Sequence, residues 1–314
     1  MTYGSWVFEG AGFLLGLLFG SFLNVCISRL PEHRSISKPR SHCPKCLKTI
    51  RWYDNVPLLS WALLRAKCRH CGQRISWRYP LVEAGMGLWF LLGTRKYLFG
   101  TPFAHCWGEP YGSKDVCYVL VGCTFLAVGF LLIGLMVMDW QTQTLPDAFT
   151  LTGIALGFLL VCTQAIFLPT GAEDVHLNRQ HSLRMNSPGS FAARGDVFLT
   201  GPEHLVFGRL LAICLAAGIP WLVRALYRAL RGREGFGLGD VKLMAMLAAF
   251  LGFAPAMLAF FIGIVLASAY SIVLLAGRRA TRASLIPLGT FLCIGGLVVA
   301  VCGDPMLAWY RGFF

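Results

Sequence analysis

Charge is scarce in this sequence. Only 14% of its residues are Asp, Glu, Lys or Arg and 56% are hydrophobic, where a soluble domain carries about 25% charged residues. That excludes an ordinary soluble domain and leaves a polytopic membrane protein. Acids are scarcer still, at 15 against 28 Lys and Arg. The basic excess is uneven, and basic loops facing the cytoplasm account for it without a nucleic-acid partner. No Lys or Arg precedes Arg29. A secretory signal opens with positive charge, so the first apolar run is expected to stay in place, its N-terminus outside.

Apolar runs cover 10–27, 81–99, 116–138, 148–168, 205–223, 241–276 and 285–302. A helix needs about 20 residues to cross a bilayer. The run 241–276 suffices for two crossings, with Gly252-Phe253-Ala254-Pro255 as the natural break. The expectation is an all-α polytopic protein of about eight transmembrane helices, with a small cytoplasmic zinc-ribbon-like domain inserted after the first. Its domains are 1–28, the first helix; 29–80, the tetracysteine domain; 81–168, helices two to four; 169–204, an outside insertion; and 205–314, helices five to eight. The loops 29–80, 224–240 and 278–283 hold nineteen Lys and Arg, and the opposite segments five. This asymmetry puts the first set inside. Arg95 and Lys96 then snorkel or sit at the far interface. The stretch 169–204 carries no metal-ligand spacing and reads as a mobile loop.

Twelve cysteines are present, yet they do not form a disulfide framework. Cys43, Cys46, Cys68 and Cys71 make two CxxC pairs in the polar segment 29–80, which holds twelve Lys and Arg against Glu32 and Asp54. Two such knuckles offer four thiolates to one tetrahedral zinc ion. A redox dithiol or two disulfides are the alternatives, and a reducing cytoplasm disfavours disulfides. His70 is the one other ligand type inside a knuckle. The role is structural, because so small a segment has little core of its own. The other eight cysteines act as small hydrophobes.

The stretch Gly235-Phe236-Gly237-Leu238-Gly239-Asp240-Val241-Lys242-Leu243 stands between two apolar segments. Its alternating glycines weaken a helix and leave room for close backbone approach before Asp240. Asp139 ends another apolar run on the same expected side. Two such carboxylates can converge and share a proton. The ionised one then activates water and the protonated one donates to the leaving group. The plainer alternatives are Asp139 as a surface acid, Asp147 as a helix cap, and Asp240 paired with Lys242 or an Arg. Ser21 and Asn24, three apart, either pack helices or border a site. Glu83 either pairs with Arg78 or lines a site.

Asp139 with Pro146-Asp147, and Gly237-Leu238-Gly239-Asp240-Val241-Lys242-Leu243, resemble the two signature motifs of the bacterial prepilin peptidases, membrane aspartic proteases of the GxGD type. Gly20-Ser21-Phe22-Leu23-Asn24-Val25, Arg29-Leu30-Pro31, both CxxC pairs, Tyr53-Asp54-Asn55-Val56-Pro57, Ser60-Trp61 and Arg78-Tyr79-Pro80-Leu81-Val82-Glu83 are similar to the same family. The resemblance covers most of 10–160 and 205–300. It implies Asp139 and Asp240 as the catalytic pair. It implies type IV prepilins and pseudopilins as substrates, cut after a glycine on the cytoplasmic face of the inner membrane. It also implies N-methylation of the new terminal residue, usually phenylalanine, with S-adenosylmethionine. No glycine-rich nucleotide fingerprint marks the methyl-donor site, for which Glu83 is the single candidate. A peptidase with purely structural zinc is one alternative. A membrane scaffold or transporter with a zinc-ribbon adaptor is another, although a transporter's acids belong near mid-membrane.

Overall fold

The computed structural model describes residues 5–98, 113–167, 175–178, 181–183, 202–232, 237–277 and 287–312. The basic loop 278–283, residues Gly235 and Phe236, and most of 100–115 and 169–204 lie outside them. The chain divides into two compact units, Met1–Gly100 and Thr101–Phe314.

In the first unit α1 (Ser5–Arg29) lies against α3 (Arg78–Gly93), which runs into a wide π turn at Thr94–Leu98. Gly16 and Gly20 explain the close crossing. A Cβ on Gly16 would stand 2.5 Å from the Met86 carbonyl oxygen, and one on Gly20 would stand 2.6 Å from the Glu83 Cα. Four-residue spacing of small residues lets two backbones touch where lipid supplies no hydrophobic drive. Asn24 strengthens the crossing by donating its Nδ2 hydrogen to the Tyr79 carbonyl at 3.0 Å. Arg95 and Lys96 fall in the π turn, where the Lys96 ammonium lies over the Tyr97 ring. Between the two helices come the cysteine knuckles and the short α2 (Leu59–Leu63).

The second unit holds α4 (Ser113–Thr142), α5 (Asp147–Phe167), α6 (Pro202–Arg231), α7 (Leu238–Leu251), α8 (Phe253–Ala276) and α9 (Leu288–Arg311). A two-stranded antiparallel ribbon, β1 (Val175–Asn178) with β2 (His181–Leu183), falls within the segment expected as a loop. The centre of this unit is α7. From Leu243 onward it is apolar on every side, and Leu243, Met244, Met246 and Leu247 are wholly buried against the surrounding helices, as an all-apolar stretch must be. It stops at Gly252, which adopts φ +93°. The break expected there is present. Arg209 of α6 closes this end by donating to the Ala248 carbonyl at 3.2 Å.

Six of the helices, α1, α4, α5, α6, α8 and α9, are long and apolar enough to cross a membrane. Two further apolar helices are shorter: α3 has 16 residues and α7 has 14. At 1.5 Å per residue α7 is about 21 Å long, so the expected eight crossings resolve into six full-length helices and two short ones. α6 corrects the sequence reading in the other direction. The sequence suggests a loop from 224 to 240, yet Arg224, Arg228 and Arg231 continue the helix to Arg231. Arg, Leu and Ala are all strong helix formers, and this spacing keeps the charges on one side.

Candidate active site and metal centre

Each knuckle of the cysteine module is built by the same backbone pattern. The Cys43 N–H donates to the Lys48 carbonyl and the Leu47 N–H returns to the Cys43 carbonyl. Cys68 repeats this with Gln73 and Gly72. The residue four after each first cysteine is left-handed, Leu47 at φ 56° and Gly72 at φ 67°. Short bridges close the knuckles, His42 with Thr49 and Lys67 with Arg74. The four sulfurs lie within 4.8 Å of one another, and Cys43 Sγ to Cys71 Sγ is 3.7 Å. A zinc–sulfur distance of 2.3 Å in a tetrahedron puts sulfurs about 3.8 Å apart. A disulfide needs about 2.05 Å, so the two-disulfide alternative does not fit. The N–H groups of Cys46 and Lys45 hold the Cys43 thiol down to about 6. The Cys71 thiol is lowered by the Gln73 N–H but pushed up to about 11 by burial and the neighbouring sulfurs. Four sulfurs so placed could hold one metal ion. His70 takes no part in the cluster. The expectation for the remaining cysteines is mixed: Cys26 and Cys293 are buried, whereas Cys123, Cys214 and Cys302 are exposed on apolar helices.

Asp139 is not in a loop. It lies in the last turn of α4 and is only 5% exposed, which removes the surface-acid alternative. Its Oδ2 accepts the Thr290 N–H at 2.6 Å and the Thr290 hydroxyl at 2.9 Å. Thr290 is in the first turn of α9, where helical N–H groups have no partner inside the helix. Asp139 therefore serves as the anion at the α9 N-terminus, which the helix dipole favours. Gly289 makes this approach feasible, because a Cβ there would stand 3.0 Å from the Asp139 Cγ.

Asp240 lies half-buried in the first turn of α7, with the Gly237 N–H directed at its carboxylate. It too is a carboxyl group at a helix N-terminus. Leu145 joins the two regions, since Cβ atoms on Gly239 and Gly289 would stand 3.1 and 3.0 Å from its side chain. The two aspartates are thereby near enough to interact electrostatically. The structure thus brings Asp139 and Asp240 together. The suggested Asp240–Lys242 pairing is overturned, because the Lys242 ammonium bonds Asp147 Oδ1 at 2.6 Å. Asp147 is itself the first residue of α5, so this pair ties the openings of α5 and α7.

In the first unit Glu83 is 8% exposed, and its Oε2 accepts the Leu58 N–H at 2.8 Å. The Ser21 hydroxyl also reaches it. Asn24 is 3% exposed, and its Oδ1 has no hydrogen-bond donor. Thr290 was missed by sequence reasoning. Its one signal was a polar residue just after Pro287-Leu288-Gly289 at the head of an apolar run.

A helical membrane bundle holding two neighbouring acids at the N-termini of two helices defines a membrane protein with a carboxylate-pair site, here on one chain with a four-cysteine module. The family profile described as the bacterial peptidase A24 N-terminal domain matches residues 14–97, and that of the type IV leader peptidase family matches 190–272. Proteins named prepilin leader peptidase/N-methyltransferase are similar over most of the chain. The one from Stutzerimonas stutzeri is 30% identical over 96% of this chain and 92% of its own length. That from Aeromonas hydrophila is 29% identical over 97% and 94%. The Myxococcus xanthus protein is 35% identical over 76% of this chain and 55% of its own. No solved structure shows a significant match. The chain belongs to the type IV leader peptidase family.

Proposed function

We propose that this protein is a membrane aspartic endopeptidase that removes the basic leader of type IV prepilins and pseudopilins, and that it then N-methylates the new N-terminus. The observation that carries the reading is the convergence of Asp139 and Asp240 at the first turns of α9 and α7. Asp139 is held in place by both donors of Thr290, whereas Asp240 is the more accessible of the two. One carboxylate takes a proton from the attacking water. The other, protonated, donates to the carbonyl oxygen; the proton taken from water then passes to the leaving amine, and the second carboxyl recovers its own as the carbonyl reforms. The peptide bond breaks with no metal ion and no covalent intermediate. Neither acid lies in the middle of its helix, which disfavours a transporter.

Cys43, Cys46, Cys68 and Cys71 are the zinc ligands, supported by the spacing of their sulfurs. The zinc holds the 29–80 domain in its fold. The methyl donor is S-adenosylmethionine, which when bound supplies an electrophilic methyl group. Two acceptors in the first unit suit an amino group there: the Glu83 carboxylate and the orphaned Asn24 Oδ1. Cleavage follows a glycine, and phenylalanine is the usual residue methylated. The protein lies in the bacterial inner membrane with its site facing the cytoplasm, as the basic loops support.

The test is processing of a model prepilin in liposomes, followed by mass spectrometry. Wild type should remove the leader, and with S-adenosylmethionine should add one methyl mass. Asp240→Asn should remove nothing. A folded wild type that leaves the leader intact would return the weight to a scaffold. Leader loss with no methyl mass would leave a peptidase alone.

A further inference from the structure

The short helix α2 has its polarity reversed. Its buried residue is Ser60, whose hydroxyl donates to the Tyr53 carbonyl at 2.9 Å and accepts the Val56 N–H at 2.9 Å. Its outward residues are Leu59 and Leu63, 55% and 73% exposed. They are four apart and so share one face. A helix facing water carries the opposite arrangement.

The depth of α2 is set by a hydrogen bond. The Leu58 N–H that precedes it is held by Glu83 at 2.8 Å. Glu83 lies five residues inside α3, about 7.5 Å along its axis. The outer side of α3 at that level is apolar, with Leu81 66% and Leu88 54% exposed. The start of α2 is therefore tied to α3 well inside its first residue, Arg78, beside an apolar stretch of that helix. Trp52 and Trp77 are exposed on the segments before and after α2, and tryptophan favours the membrane interface. The segment 29–80 carries twelve Lys and Arg against two acids, which an anionic lipid surface attracts.

We infer that α2 is an interfacial anchor: Leu59 and Leu63 enter the boundary between headgroups and acyl chains, and the cysteine module lies down on the anionic membrane surface. The occupant of the apolar face is lipid. A lipid-bound module would keep its knuckles close to the surface whether or not the chain is processing a substrate.

Photo-cross-linking of the full-length protein tests this. p-Benzoylphenylalanine is placed at Leu63 and, as a control in the second knuckle, at the exposed Gln73. Both proteins go into nanodiscs of phosphatidylethanolamine and phosphatidylglycerol, and the adducts are identified by mass spectrometry. Both positions are exposed, so folding tolerates the change, and elution as one sharp peak on gel filtration verifies it. The expected result is lipid adducts at position 63 in at least about fivefold excess over position 73. Equal yields at the two positions would overturn the inference, as would adducts at 63 that join another protein segment in place of lipid.

Discussion

Two regions of this molecule gather groups that carry negative charge, and they compensate for it differently. The cysteine module collects four thiols within 4.8 Å from a span of 29 residues, with N–H groups turned toward the sulfurs. A cation is the only partner that can satisfy all four. The aspartate site collects two carboxylates from far-separated helices and uses the N-termini of α7 and α9, with Thr290 closing on Asp139. Backbone N–H groups at helix ends face both carboxylates there. A metal ion bound in the first arrangement would tie charge to folding. The second leaves charge free to move, as acid–base chemistry requires.

The comparison breaks cleanly if the two regions respond to opposite substitutions. Asp139→Asn or Asp240→Asn should lower prepilin cleavage by at least about 10³-fold, with methyl transfer on a precleaved substrate and bound metal unchanged. Cys43→Ser should do the reverse to metal, taking elemental zinc per chain from near one to near zero and melting the module. Retained cleavage in either Asp variant would remove the dyad. Unchanged metal content in Cys43→Ser would remove the zinc site.

A smaller effect sharpens the same contrast. Thr290→Val keeps the backbone N–H to Asp139 Oδ2 and loses only the hydroxyl at 2.9 Å. A hydrogen bond to a charged group is worth about 1.5–3 kcal/mol. Cleavage should fall about 10- to 100-fold, with Thr290→Ser close to wild type and KM little changed. A Val variant as fast as wild type would show that the α9 N-terminus alone holds Asp139.

What could be read in advance follows the distance between partners. The cysteine ligands come in pairs two residues apart, so spacing alone announces them. Gly252 stands beside Phe253-Ala254-Pro255, and the break between α7 and α8 shows. The two acids announce themselves as rare charges in apolar surroundings. Thr290 is 151 residues from Asp139, and a single hydroxyl in an apolar run has no periodic signature. The partner of Glu83 is a backbone N–H, which every non-proline residue possesses. The extension of α6 was hidden because arginines were taken as the mark of a loop. The close approach of α1 to α3 rests on Gly16 and Gly20, a spacing the sequence reading does not use, since it looks to Ser21 and Asn24 for packing.

The smallest expected effect lies inside the cysteine module and depends on pH. Asp54, in the 3₁₀ turn Trp52–Asn55, accepts from Arg69 at 2.6 Å to Nη2 and at 3.0 and 3.1 Å to Nε. Arg69 follows Cys68 directly, so the pair ties the second knuckle to that turn. The Arg69 hydrogen bonds hold the Asp54 carboxyl below its ordinary value. A carboxyl lowered on folding stabilises the fold above its unfolded value, about 3.9. That contribution fades as pH falls through the lowered value. Asp54→Asn should therefore unfold at a lower Tm than wild type at pH 7, and the gap should close below about pH 4. Acid also protonates the cysteine thiolates, but it does so in both proteins, and the difference between them cancels that loss. A gap that stays constant from pH 7 to pH 3 would show that Asp54 holds the knuckle by shape and not by charge.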